Sequence, residues 1–185
     1  MDMDLNRVLV EQLSWHWEHQ LRPRLDGLTD AEYFWEPVPG AWNVHPRGQG
    51  STEFQGGSGA FAVDFAVPEP SPPPVTTISW RLAHLLVGVF GDRNARYFGG
   101  PPVDYDSYDY PGTADDALTE LDAGYRRWID GVRGLSDAEL AQPCREPGFE
   151  HEPMIGLVLH IHREVIHHGA EICLLRDLYA QRPQP

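Results

Sequence analysis

Leu157-Val-Leu-His-Ile-His-Arg-Glu-Val-Ile-His-His-Gly-Ala-Glu-Ile-Cys-Leu-Leu-Arg-Asp-Leu-Tyr179 contains no proline, and its only glycine is Gly169. Leu157, Ile161, Val165, Ile172 and Leu175 recur at the spacing of an amphipathic helix, so the stretch predicts a long helix over 157–179. On the same cylinder His160, Glu164 and His168 stand four residues apart, with His167 seven after His160. Four residues turn a helix by ~400°, so each side chain sits ~40° round and ~6 Å along from the last. The helix therefore presents a ladder of imidazole and carboxylate beside its apolar stripe. Two neighbours on such a ladder can hold one metal ion. His160 and His168 are ~12 Å apart along the axis, so one ion would take Glu164 with one of them and a further ligand from another helix. Zinc, nickel and ferrous iron all accept that mixture. A polar face with Glu164 hydrogen-bonded to its neighbours has the same spelling, and the ladder alone leaves both readings open.

The 185 residues fit one domain with a sizeable core, 1–185. The net charge of −14 argues against nucleic acid and against an anionic membrane surface as partners, which leaves a small-molecule substrate. No run approaches the ~18–20 apolar residues of a spanning helix. The opening Met-Asp-Met-Asp-Leu-Asn lacks the basic and apolar regions of a signal peptide. Two cysteines, Cys144 and Cys173, form neither a framework nor a Cys-x-x-Cys pair, so the expected location is the reducing cytoplasm.

The other periodic segments complete the architecture. Leu5, Leu9, Leu13, His16 and Gln20 predict a first helix over 4–25, which Pro23 should stop or bend. Residues 38–75 are rich in Gly, Ser and Pro and lose the helical period. They read as an irregular insertion, a candidate lid, in which 61–67 is open to strand or loop. Thr76 or Thr77 caps a second helix over 78–98 whose first half is apolar nearly all round, the mark of a central buried helix. His84 falls inside that run, where a ring must satisfy both nitrogens by hydrogen bonds or by a metal. After an acidic, tyrosine-rich loop over 103–112, Thr113 caps a third helix to about Val132, with Leu118, Leu121, Tyr125, Trp128 or Ile129, and Val132 as its stripe.

Gly27-Leu-Thr-Asp-Ala-Glu32 and Gly134-Leu-Ser-Asp-Ala-Glu139 are nearly the same words, each just after a long helix. Both spell a capping box. They are either convergent caps or the trace of two pseudo-symmetric helical hairpins. The expected fold is all-α, a four-helix bundle with crossover connections and an insertion between helices one and two. In such a bundle His84 comes within reach of the ladder on helix four.

Arg81-Leu-Ala-His-Leu-Leu and Arg163-Glu-Val-Ile-His-His-Gly-Ala-Glu-Ile resemble the DinB-like, or damage-inducible-type, superfamily of metal-dependent bundle proteins. The resemblance spans nearly the whole chain outside the insertion. It implies that His84, Glu164 and His168 bind a divalent ion, with Glu164 in place of the family's usual first histidine of the pair. That His, Glu, His set is similar to the one the mycothiol-dependent maleylpyruvate isomerase and thiol-transferase branch uses for zinc. The resemblance thus implies a thiol transferase or isomerase, with zinc, or nickel or iron, as cofactor, a thiol such as mycothiol as cosubstrate, and a homodimer. His160 and His16 are candidates to orient a ligand or hold a proton, although an ordinary polar or packed histidine is the favoured reading of each. Two other functions remain open at this point: metal-dependent hydrolysis, and a non-catalytic bundle that an ion merely stabilises.

Overall fold

The computed structural model describes residues 4–50 and 52–183; residues 1–3, on which part of the signal-peptide reading falls, lie outside them. The described chain is mostly helical, with one small antiparallel sheet. Helix α1 (Leu5–His16) starts at Asp4, whose side chain accepts from the Arg7 N–H. It runs without a break through a π-helical turn, Trp17–Leu21, into α2 (Arg22–Leu25). Pro23 has no N–H to give to the preceding turn. The wider turn before it is closed instead by Arg22, whose N–H reaches the Trp17 carbonyl. Helix α3 (Asp30–Tyr33) follows, then strands β1 (Val44–Pro46), β2 (Phe54–Gly56) and β3 (Phe61–Phe65).

The second long helical segment comprises α4 (Ile78–His84), a π-helical stretch Leu85–Gly91, and α5 (Asp92–Tyr97). Thr77 rather than Thr76 caps it, accepting from the Trp80 N–H. Helix α6 (Ala114–Arg133) is capped by Thr113, and its predicted stripe is buried throughout, with both Trp128 and Ile129 turned inward. Helix α7 (Asp137–Leu140) is short, and α8 (Met154–Gln181) carries the ladder. Both repeated hexapeptides form complete capping boxes, Thr29 with Glu32 and Ser136 with Glu139. The long helical segments share one core, in which Leu13, Leu21, Leu82, Leu85, Leu121, Trp128, Val158, Val165 and Ile172 are essentially inaccessible to solvent. No helix among the described residues is long and apolar enough to cross a membrane.

The insertion is more regular than its composition suggested. β3 lies between β1 and β2, antiparallel to both, with Val44 opposite Val63 and Phe54 opposite Phe65. The open choice at 61–67 is settled as a strand over Phe61–Phe65. The sheet is fastened to the start of α4. Trp42 donates to the Val75 carbonyl at 2.8 Å, and its own carbonyl accepts from Thr77 at 3.0 Å. Trp80 Nε1 donates to the Asp64 carbonyl at 3.0 Å. Val44, Val63, Ala83, Val87 and Tyr110 then form a second small core between sheet and helix. Six cross-strand pairs and an apolar underside hold the described part of the 38–75 segment as a wall, not as a loose lid.

The π-helical stretch directly follows His84. Its signature bond runs from the Asp92 N–H to the Val87 carbonyl, five residues back. Gly91 permits it, because a Cβ there would stand 2.5 Å from the Leu86 carbonyl oxygen and 2.6 Å from Val103 Cγ1. The Gly88 carbonyl, displaced from the regular ladder, accepts from the Arg93 guanidinium. Such single-turn widenings are common beside functional residues, because they re-aim one side chain without ending the helix.

Candidate metal centre

His84 comes from the end of α4, and Glu164 and His168 from the middle of α8. One donor atom from each lies within 4.8 Å of the other two. Donors bound to one tetrahedral ion at ~2.1 Å stand ~3.4 Å apart, so small side-chain rotations bring these three into coordination range. The rings of His84 and His168 meet edge to face, with centroids 4.8 Å apart. His168 is buried, whereas His84 and Glu164 are half-buried.

The hydrogen bonds fix which nitrogen of His168 is available. Its Nδ1 lies 2.7 Å from Glu171 Oε2. An ionised carboxylate only accepts, so Nδ1 carries the proton and donates it. Glu171 is held in turn by Arg81, whose Nη1 is 2.8 Å away; the same nitrogen lies 3.2 Å from His168 Nδ1. In the neutral ring, Nε2 then points a lone pair toward Glu164 Oε2, 3.4 Å off. Two acceptors facing each other repel unless a proton or a metal cation stands between them. A metal ion placed there satisfies both and also reaches His84, so the donor set fits a divalent ion. A second triad, His167, His168 and Glu171, is also close enough to hold a cation, but it shares His168 and includes the exposed His167.

On the opposite side, His84 Nδ1 is 2.8 Å from Tyr105 Oη, and the two rings are nearly parallel. Burial pushes the His84 imidazole down to about 4, and proximity to His168 adds to this, so the ring is neutral at pH 7. Burial also pushes the Tyr105 phenol up to about 12, so it keeps its proton. Gly88, one turn after His84, makes this contact possible: a Cβ there would lie 2.2 Å from Tyr105 Oη.

His84 and Tyr105 form one end of a cavity of about 590 Å³. Trp42, Phe54, Phe65 and Trp80 supply its aromatic walls. The sheet of the insertion therefore builds the space beside His84, one of the three donors. His160 stands at the edge of the cluster, its Nδ1 3.6 Å from Glu164 Oε1 and 2.6 Å from Arg163 Nη2. His16 is not brought to the site. It lies on α1, bonded to Gln20 at 2.9 Å, and the packing of α1 gives it no part in either triad.

Several contributors were missed by sequence reasoning. Glu171 and Arg81 had a usable signal, since Glu171 is three residues beyond His168 on one helix face and Arg81 is three before His84. Tyr105 and the aromatic walls had none, because they meet only through non-local packing. A family model described as the DinB superfamily matches residues 61–172, a span that takes in His84, Glu164 and His168 together with β3. That is more than half of the chain, and the chain belongs to the DinB superfamily. No curated protein and no solved structure matches it.

Proposed function

We propose that the protein is a divalent-metal-dependent enzyme that joins a low-molecular-weight thiol of the mycothiol type to an electrophilic small molecule. His84, Glu164 and His168 are its metal ligands, and zinc is the ion this donor set suits best. The long helical segments are read as the four-helix bundle that carries such sites between facing helices. One observation carries the reading. His168 Nε2 and Glu164 Oε2 face one another at 3.4 Å with the His168 proton already given to Glu171, next to an aromatic cavity that His84 borders.

The ion supplies positive charge that two neutral imidazoles and one carboxylate only partly cancel, which favours the deprotonated form of a thiol. The chain's own residues do the rest. Glu171 and Arg81 hold the His168 ring in one tautomer and orientation. Tyr105 does the same for His84. The aromatic walls exclude water and place the second substrate. The reacting thiol comes from outside the chain: Cys144 is buried with its Sγ 3.2 Å from the Phe149 carbonyl, and burial pushes the Cys173 thiol up. A set of only three donors, one of which (His84) borders a cavity, favours an enzyme over a closed, purely stabilising site.

The test is turnover of zinc-loaded protein with a panel of thiols and electrophiles, including mycothiol, compared with chelator-stripped protein. Thiol-dependent product that disappears on stripping and returns with zinc is expected. Turnover without added thiol would replace this reading by hydrolysis, and turnover that survives stripping would remove the metal from it.

A further inference from the structure

The cavity beside His84 has a lining that selects among electrophiles. Besides Trp42, Phe54, Phe65 and Trp80, it is bordered by Glu69, Asp106 and Asp64, the last paired with His45, and no lysine or arginine lines it among the described residues. Two cations stand behind its wall, and both are paired: Arg81, whose guanidinium lies 5.9 Å from the Trp80 ring centre, with Glu171, and Arg93, close enough to act on the Tyr105 phenol, with Glu146. Phe54, Phe65 and Val67 remain exposed around this one space, Phe65 against the rings of Phe54 and Trp42. An anion entering it would be desolvated against aromatic faces and three acidic residues, with no cation in the described lining to offset it.

Tyr105 adds a polar anchor. When His84 uses Nε2 as a ligand, its Nδ1 carries the proton and must donate it to Tyr105 Oη, 2.8 Å away. The phenol then accepts from His84, and its own proton is left to donate elsewhere. Tyr105 also lines the cavity, where an acceptor atom of a ligand can take that proton in a hydrogen bond.

We infer that the cavity takes an uncharged, flat, apolar electrophile bearing one hydrogen-bond acceptor such as a carbonyl, that Tyr105 donates to that acceptor, and that anionic substrates are turned away. The inference rests on the metal reading for the direction of the Tyr105 hydrogen bond, whereas the discrimination against charge does not. It favours transfer of a thiol to a neutral acceptor over isomerisation of a dicarboxylate.

Binding is followed by quenching of tryptophan fluorescence in the full-length protein, with acetophenone, 4-acetylbenzoate and ethylbenzene as probes. In metal-free protein, where no ion attracts a carboxylate, 4-acetylbenzoate is expected to bind at least ~10-fold more weakly than acetophenone. The double variant Glu69→Gln, Asp106→Asn should shrink that gap. In zinc-loaded protein, acetophenone should bind about 5-fold more tightly than ethylbenzene, and Tyr105→Phe, compared at full zinc occupancy, should abolish the preference. Equal or tighter binding of 4-acetylbenzoate by metal-free protein overturns the charge selection. An unchanged preference in Tyr105→Phe overturns the donor role. Zinc stoichiometry, measured separately by calorimetry, tells either failure from failure of the metal site.

Discussion

Glu164→Gln is expected to weaken zinc binding by at least ~100-fold and to reduce thiol transfer in proportion, because it removes the only anionic ligand of the proposed set while keeping its shape. The neighbouring positions should rank below it. Glu171→Gln leaves all three ligands in place but frees the His168 ring, a loss of the ~10–100-fold size typical of a group that orients a ligand. His160→Ala should change affinity by less than about 3-fold, since its ring only borders Glu164 at 3.6 Å and surface ion pairs contribute little. Competition against a chromogenic chelator gives the three affinities. An unchanged affinity in Glu164→Gln, or a larger loss in His160→Ala, would move the site along the ladder.

The second large effect concerns stability and a residue outside the site. His162 is 1% exposed, stands edge-on to Trp128 at 6.5 Å, and has no hydrogen-bond partner on either ring nitrogen among the described residues. Burial alone pushes it down to about 4. In the unfolded chain the same imidazole takes up a proton below about 6.5. Between those values the unfolded state binds one more proton than the folded state, so stability falls as the pH drops through that window. The full effect is about 3 kcal/mol at pH 4 and vanishes above neutrality. His162→Leu should remove it, so the variant gains on the wild type steadily from pH 6.5 to pH 4. Urea unfolding of metal-free protein across that range measures the difference. A variant with the same acid slope as the wild type would place the sensitivity elsewhere, with His84, also held at about 4, as the next candidate.

The parts of this account that were legible in the sequence follow from local periodicity. The ladder on α8 was readable because His160, Glu164 and His168 share one helix, and the caps at Thr29 and Ser136 because a capping box spans four residues. His84 was placed by an apolar run that only a buried helix explains. The sheet was not legible: strands of three, three and five residues are too short to show alternation, and their glycine- and proline-rich flanks read as loop. The π-helical turns escaped because an average period of 3.6 hides one extra residue. The His162 ring was overlooked beside the ladder, although it is the most buried histidine of α8. The cavity depends on residues 42, 54, 65, 80 and 105 meeting in space, and no short-range pattern announces such a meeting.

X-ray absorption at the zinc edge of the full-length, zinc-loaded protein tests the central claim most directly. The account predicts a shell of nitrogen and oxygen neighbours with the multiple-scattering signature of two imidazoles, reduced to one in His84→Ala. A coordination shell that His84→Ala leaves unchanged, or sulfur at ~2.3 Å, would contradict it.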